Sequence, residues 1–437
     1  MLAPIMPTTP TNSGMSARHR IAWRLLPFLF LLYVVNYLDR TNISYATLGM
    51  KGDLRLTDEV FGTASGIFFL GYLLLQIPGA LLMERWSPRL LLAITLIAWG
   101  GLTVLTGFVR TPVELYGARF LLGVAEAAFF PGIVVYLSHW FIDRDRATAL
   151  ARFMAAIPIG YILGGPLAGA LLKVNWLGSS GWRWLFFLEG APAIFFGIAT
   201  FFVLPDRPDE ARWLRKDERD WLASRLDEER RSKAMAGHTK ISQALRQRPV
   251  VLLSVGLFFC YSGGYAFWFW MPTMLQRLTG WSDVQQIGWI GSIPFVVGLI
   301  GMLLIGWNSD RTGERRWHFA IPQMTAAAAL GAWFLVPHSN ITLVVIFSLV
   351  VFGTSAYLPA FWALPSSFLG ASNAAAVIGF ISCIASIGGF IGPKLIGTFS
   401  QRTGSFDAGF LFMIACWVIA AVFVLLCPRV RAGSVMR

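Results

Sequence analysis

Long apolar runs recur about a dozen times along this chain, and nearly every charge falls between them. Each run is close to the roughly 20 residues an α-helix needs to cross a bilayer. The spacing predicts twelve spans, at 21–43, 60–82, 89–109, 113–138, 147–171, 183–204, 250–275, 285–307, 318–337, 341–365, 374–399 and 407–427. The gap 205–249 differs, because acids and bases are mixed along it (Asp206, Arg207, Asp209, Glu210, Arg212, Lys216, Glu218, Arg219). It reads as a solvated linker with amphipathic helices. The expected organisation is therefore a disordered tail at 1–20, a six-helix bundle at 21–204, the linker at 205–249, a second six-helix bundle at 250–427 and a tail at 428–437. The fold class is an all-α integral membrane protein of two pseudo-symmetric six-helix halves.

Composition agrees with a membrane solvent. Hydrophobic residues make up 56% and charged residues 14%, against about 25% charged in soluble domains. Cys260, Cys383, Cys416 and Cys427 all lie in apolar runs, with no CxxC spacing and no nearby His. They read as small buried hydrophobes rather than as disulfides or metal ligands. No cleavage site follows a short apolar core, so the first run is a retained helix. Lys and Arg set orientation. With the long central segment set aside, roughly 13 lie on the side of the termini against about seven on the opposite side. Both termini are therefore expected in the cytoplasm. The net charge of +13 serves this topology and anionic lipid rather than nucleic acid.

Six charges break the pattern by sitting in or at the edge of apolar runs: Asp39, Arg40, Arg119, Glu126, Glu189 and Lys394. An ionisable group in hydrocarbon is costly unless paired or wet, so each is a functional candidate. On span one, Tyr33, Asn36, Tyr37 and Arg40 fall at i, i+3, i+4 and i+7, one helical face that Ser44 continues. Such a stripe must face protein or a water-filled cavity. A hydrogen-bonded seam between helices is the competing reading, but a guanidinium at this depth needs an anion: Asp39, Glu126 or a substrate. Asp39 lies about 100° round the helix from Arg40, so it is no automatic partner. On span four, Arg119 and Glu126 share a face at about 10 Å along the axis. That is too far for a simple intrahelical bridge, and each is expected to look across to another helix. A carboxyl placed between desolvation and an Arg can load and lose a proton, while a static bridge is the alternative.

Ser65, Phe69, Tyr72 and Gln76 form a possible second polar wall on span two, with helix–helix glue as the competitor. In the second half, Tyr261, Tyr265 and Trp268 share a face, as do Ser382 and Ser386. Trp362 sits between Pro359 and Pro365, which can break a helix and expose backbone. Lys394 is expected to snorkel to an interface, and Glu189 to make a polar contact at the start of span six.

Two loops echo each other. Gly79 through Glu84-Arg85 to Arg89 follows span two, and Gly306 through Asp310-Arg311 to Arg316 follows span eight. This repeat resembles the loop signature of the major facilitator superfamily, although the first copy carries Glu84 where the family has Asp. Three further stretches resemble its anion:cation symporter family, nearest the bacterial tartrate-type and sugar-acid permeases. They are Tyr33 to Asn42, Arg119 to Gly132, and Phe361-Trp362-Ala-Leu-Pro365 with Gly388 to Pro393. The resemblance implies proton-coupled uptake of an organic carboxylate by alternating access. It implies that Arg40 binds the carboxylate, that Asp39 and Glu126 take protons, and that Arg119 tunes Glu126. Tyr37, Tyr72 and Trp362 would line the pocket, with Tyr33, Asn36, Gln76, Tyr265, Ser382 and Ser386 completing it. Sugar-acid relatives often carry Asn where this chain has Ser382 or Ser386, which weighs against a polyhydroxylated substrate.

Span five, Pro158 to Gly169, is rich in small residues and resembles a motif of drug/proton antiporters. Close packing explains it equally well. A drug/proton antiporter is therefore the alternative to a carboxylate importer. No phosphate loop, metal cluster or nucleophile–base pair points to an enzyme. The expected partners are a small organic anion, protons and the bilayer, with no cofactor beyond the coupling proton. The chain is expected to be a monomer in the cell inner membrane.

Overall fold

The computed structural model describes residues 12–235, 241–368 and 374–428. The expected tails fall mostly outside them, and so do the side chains of Glu84 and Arg85. The described chain is helical throughout, and eleven helices are long and apolar enough to cross a membrane. Span one is Asn12–Leu54, span two Asp58–Arg85, span three Pro88–Thr106 and span six Gly181–Val203. Spans four and five are Pro112–Trp140 and Asp143–Leu172. Span seven is Arg248–Thr279, span eight Val284–Thr312, span ten Asn340–Pro365, span eleven Ala374–Thr403 and span twelve Asp407–Leu425. Span nine, Arg316–Ala332, has 17 residues and packs with spans ten and twelve as a member of the same bundle.

The two halves repeat one set of neighbours. Span one packs on five and six, two on four, and three on six. In the second half seven packs on eleven and twelve, eight on ten, and nine on twelve. Span for span, this is the pairing that two copies of one six-helix unit would give.

Span one starts at Asn12, inside the segment expected as a tail. Contacts to residues far along the chain hold this extension: Ser16 donates to Glu218 at 2.6 Å, and Arg18 pairs with Asp145. Glu218 belongs to the linker helix Lys216–Met235, which packs against span one.

Three spans break near mid-depth, each beside a proline. Span four is interrupted between Glu126 and Phe129, ahead of Pro131. Span five is interrupted at Ala155, ahead of Pro158, and span ten at Tyr357, ahead of Pro359. A proline removes one helical hydrogen bond and crowds the carbonyl four residues before it, and each break falls in the two to four residues ahead of its proline.

The halves meet through spans two and eleven, five and eight, and one and seven. The seal lies at the end remote from the termini. Asp58, at the start of span two, accepts from Arg277 at 2.7 Å and from Ser400 at 2.6 Å, and also pairs with Lys51. Lys173 and Asp283 pair at 2.8 Å across the five–eight contact. This bond from Lys173 holds the Asp283 carboxyl below the ordinary carboxylate range. Gly165 packs directly on Gly288, where an added Cβ would lie 2.4 Å from the Gly288 carbonyl oxygen. Gly165 and Gly169 of span five thus serve contact between the halves, while Gly160 and Gly164 pack on Tyr37 and Thr41 of span one.

A side chain at Gly165 should therefore part the seal. Overpacking of this kind costs about 1–3 kcal/mol, enough to shift a two-state equilibrium by about fivefold to a hundredfold. In Gly165→Leu, a single cysteine placed at Ser382 should react about tenfold faster with an impermeant thiol reagent added at the sealed end. An unchanged rate would show that this contact does not hold the end shut.

Candidate substrate site

Between the halves lies a cavity with about 840 Å³ of empty space, part of it open to solvent. Span one contributes Tyr33, Tyr37 and Arg40; span two contributes Phe69, Tyr72 and Gln76. The second half contributes Tyr261, Tyr265 and Trp268 from span seven, Trp362 from span ten, and Ser382 and Ser386 from span eleven. The walls are thus aromatic with a few hydroxyls and one cation, a common composition for a small-molecule site.

Arg40 is the charge in this wall. Its guanidinium pairs with Glu126, with Nε to Oε1 at 2.6 Å. Three rings surround it: Tyr37 at 5.2 Å, Tyr72 at 5.3 Å and Phe68 at 5.5 Å from the guanidinium carbon to the ring centroids. Rings at this distance stabilise a cation. Glu126 is buried and its second oxygen, Oε2, has no hydrogen-bond partner. Of the two acids open to Arg40, the structure pairs it with Glu126 of span four rather than with Asp39.

Arg119 is not in the cavity wall. It is fully buried with its guanidinium over the Phe68 ring at 5.1 Å, and its Nε and Nη1 have no hydrogen-bond partner. It lies near both Asp39 and Glu126 without closing a bridge to either. The bridge expected between span four and another helix is thus made by Glu126, not by Arg119.

Asp39 turns away from the cavity. One oxygen accepts from Asn42 at 2.8 Å and the other from Thr103 of span three at 2.9 Å. Asn36 is likewise not in the cavity wall. It is wholly buried, and neither its Nδ2 nor its Oδ1 has a partner. The reason is angular: Asn36 sits about 60° round the helix from Tyr33, on the side of Asp39. Ser65 is also buried and unpaired rather than in the wall.

Lys394, half-buried, holds its ammonium over the Phe390 ring at 5.4 Å. Glu189 departs from expectation. It lies well inside span six and is only 4% exposed, so it is not a helix-end contact.

Several cavity residues had no signal in the apolar pattern: Phe130, Met154, Ile157 and Leu358. All flank the three helix breaks. Pro131, Pro158 and Pro359 were the legible clue, because a broken helix brings the flanking residues to the wall.

Known proteins are similar along the whole chain. The family model described as Major Facilitator Superfamily matches residues 29–393. A protein of Agrobacterium vitis named "Putative tartrate transporter" is 40% identical over 96% of this chain and 96% of its own. A "Quinolone resistance transporter" of Acinetobacter baumannii is 34% identical over 90% of each chain. Among solved structures, the bacterial homologue of the human lysosomal transporter Spinster superposes with a TM-score of 0.76. That comparison covers 93% of this chain and 97% of that one at 20% identity, and so speaks to the fold. Twelve spans in two matched halves, a charged cavity between them and a family match across most of the chain lead to one conclusion: the chain belongs to the major facilitator superfamily and is a multi-pass membrane transporter, not an enzyme.

Proposed function

We propose that this transporter takes up an organic carboxylate, a tartrate-like hydroxy acid or a sugar acid, together with protons. It would do so in the cell inner membrane with both termini in the cytoplasm. The observation that carries the reading is Arg40 in the cavity wall, paired with the buried Glu126. Arg40 presents the planar fork that suits a carboxylate. Glu126 already occupies that fork, so a substrate carboxylate must displace it. A buried carboxylate that loses its partner cation holds a proton more readily. Anion binding and proton binding are thereby coupled through one guanidinium. Asp39, held by Asn42 and Thr103, is the second proton-taking group in this scheme. Arg119 supplies positive charge near both acids. The relative named for tartrate supports the substrate class.

Drug export remains the competing reading, because a relative of similar likeness is named for quinolone resistance. The small-residue stripe of span five no longer favours it, since close packing against spans one and eight accounts for its glycines. One experiment separates the two. Purified protein in liposomes should accumulate a labelled hydroxy or sugar acid when an inward proton gradient is imposed, and that acid should raise the melting temperature. Quinolone or dye extrusion with no acid accumulation would overturn the proposal.

A further inference from the structure

The seal at the end remote from the termini holds a carboxylate as a binding site would. Asp58 of span two is buried, and both of its oxygens are engaged. Arg277 of span seven donates through Nη1 to Oδ2 at 2.7 Å and through Nη2 to Oδ1, so the guanidinium fork grips the carboxylate by two bonds. Ser400 of span eleven donates to Oδ2 at 2.6 Å, and its hydroxyl accepts from Arg277 Nη1 at 3.1 Å. The Phe406 ring backs the guanidinium, its centroid 5.4 Å from the central carbon. A planar fork with an added hydroxyl donor is a general way to recognise a carboxylate.

These groups divide cleanly between the halves. Arg277, Ser400 and Phe406 belong to the second half, on span seven, on span eleven and just before span twelve. Asp58 belongs to the first half, and so does Lys51 in the last turn of span one, which also pairs with it. When the halves part at this end, Asp58 leaves with Lys51 and keeps a counter-charge. Arg277 keeps Ser400 and Phe406 but loses its carboxylate. Among the described residues, Asp58 is the one acid that pairs with Arg277. The Arg277 side chain is 37% exposed even with the seal shut, so the vacated fork faces solvent.

We propose that Arg277, Ser400 and Phe406 form an entry site for the carboxylate of an incoming organic anion, and that Asp58 fills this site as a built-in stand-in whenever the end is shut. With the halves apart, the fork captures a carboxylate at the mouth. Closure returns Asp58 to the fork and releases the anion toward Arg40. One carboxylate replaces another, so the guanidinium is stranded in neither state. The inference rests on the reading of the protein as an importer of organic carboxylates.

Two variants of the full-length protein test it. Lys51→Gln combined with Asp58→Ala empties the fork and removes the first half's own cation, leaving the second-half groups alone. Phenylglyoxal, an arginine reagent, should then modify Arg277 about tenfold faster than in wild type, read by peptide mass mapping. Millimolar propionate or tartrate should restore protection, and propionamide, similar in shape but uncharged, should not. Protection by neither acid, or equal protection by propionamide, would overturn the proposal. Arg277→Lys supplies a second measurement in liposomes, because it keeps the charge that pairs with Asp58 and loses the fork. Its KM for labelled tartrate should rise about fivefold to tenfold. A KM within about twofold of wild type would limit Arg277 to the seal and overturn the entry site. If wild type accumulates no organic acid, the importer reading fails, while the propionate experiment still decides whether the fork takes a carboxylate.

Discussion

Arg40→Lys should yield a folded, membrane-inserted protein whose carboxylate uptake is close to background. The substitution keeps the charge, so the Glu126 carboxylate is not stranded. It removes the planar fork that can bind two carboxylate oxygens together. It also removes the flat cation that sits among the Tyr37, Tyr72 and Phe68 rings. Hydrogen bonds to charged groups contribute about 1.5–3 kcal/mol each, so affinity should fall roughly tenfold to a hundredfold. A melting curve, a ligand-induced melting shift and an uptake assay on one preparation decide the matter. Uptake near the wild-type rate would remove Arg40 from the substrate clamp.

Glu126→Gln should uncouple transport rather than destroy binding. The amide has the shape of the protonated acid and can still accept from Arg40. It cannot release a proton, so the cycle loses its empty state. Concentrative uptake driven by a pH gradient should fall to background, while exchange of labelled for unlabelled substrate persists. The pH dependence of binding should flatten, because one titrating group is gone. A structural role makes a different demand. Breaking a buried ion pair by removing one partner destabilises by about 3–5 kcal/mol, which a melting curve would register at once. A stable Gln variant that still concentrates substrate with an unchanged pH profile would leave Asp39 as the coupling acid.

Most of the fold was legible because bilayer thickness imposes a length on apolar runs, and charges between runs mark the turns. The expected spans and the observed helices coincide closely, as at 183–204 against Gly181–Val203 and 407–427 against Asp407–Leu425. The helix extension before residue 21 was not legible, because its support comes from Asp145 and Glu218, far along the chain. The cavity wall was partly legible. Tyr33, Tyr37 and Arg40 lie together because 3.6 residues per turn places them so, and Tyr72 with Gln76 follows the same rule on span two.

The sequence by itself determined the spans, their division into two halves, and which side chains share a face on any one helix. These follow from periodicity and from the cost of charge in hydrocarbon, both local properties of a segment. Only the tertiary structure decided how each face is turned toward its neighbours. It paired Arg40 with Glu126 rather than Asp39, left Arg119 over Phe68, and turned Asn36 into the bundle. It also buried Glu189, expected at a helix end, well inside span six. Periodicity sets angles about a helix axis, whereas an ion pair depends on distance between axes, and that distance is set by how the helices pack.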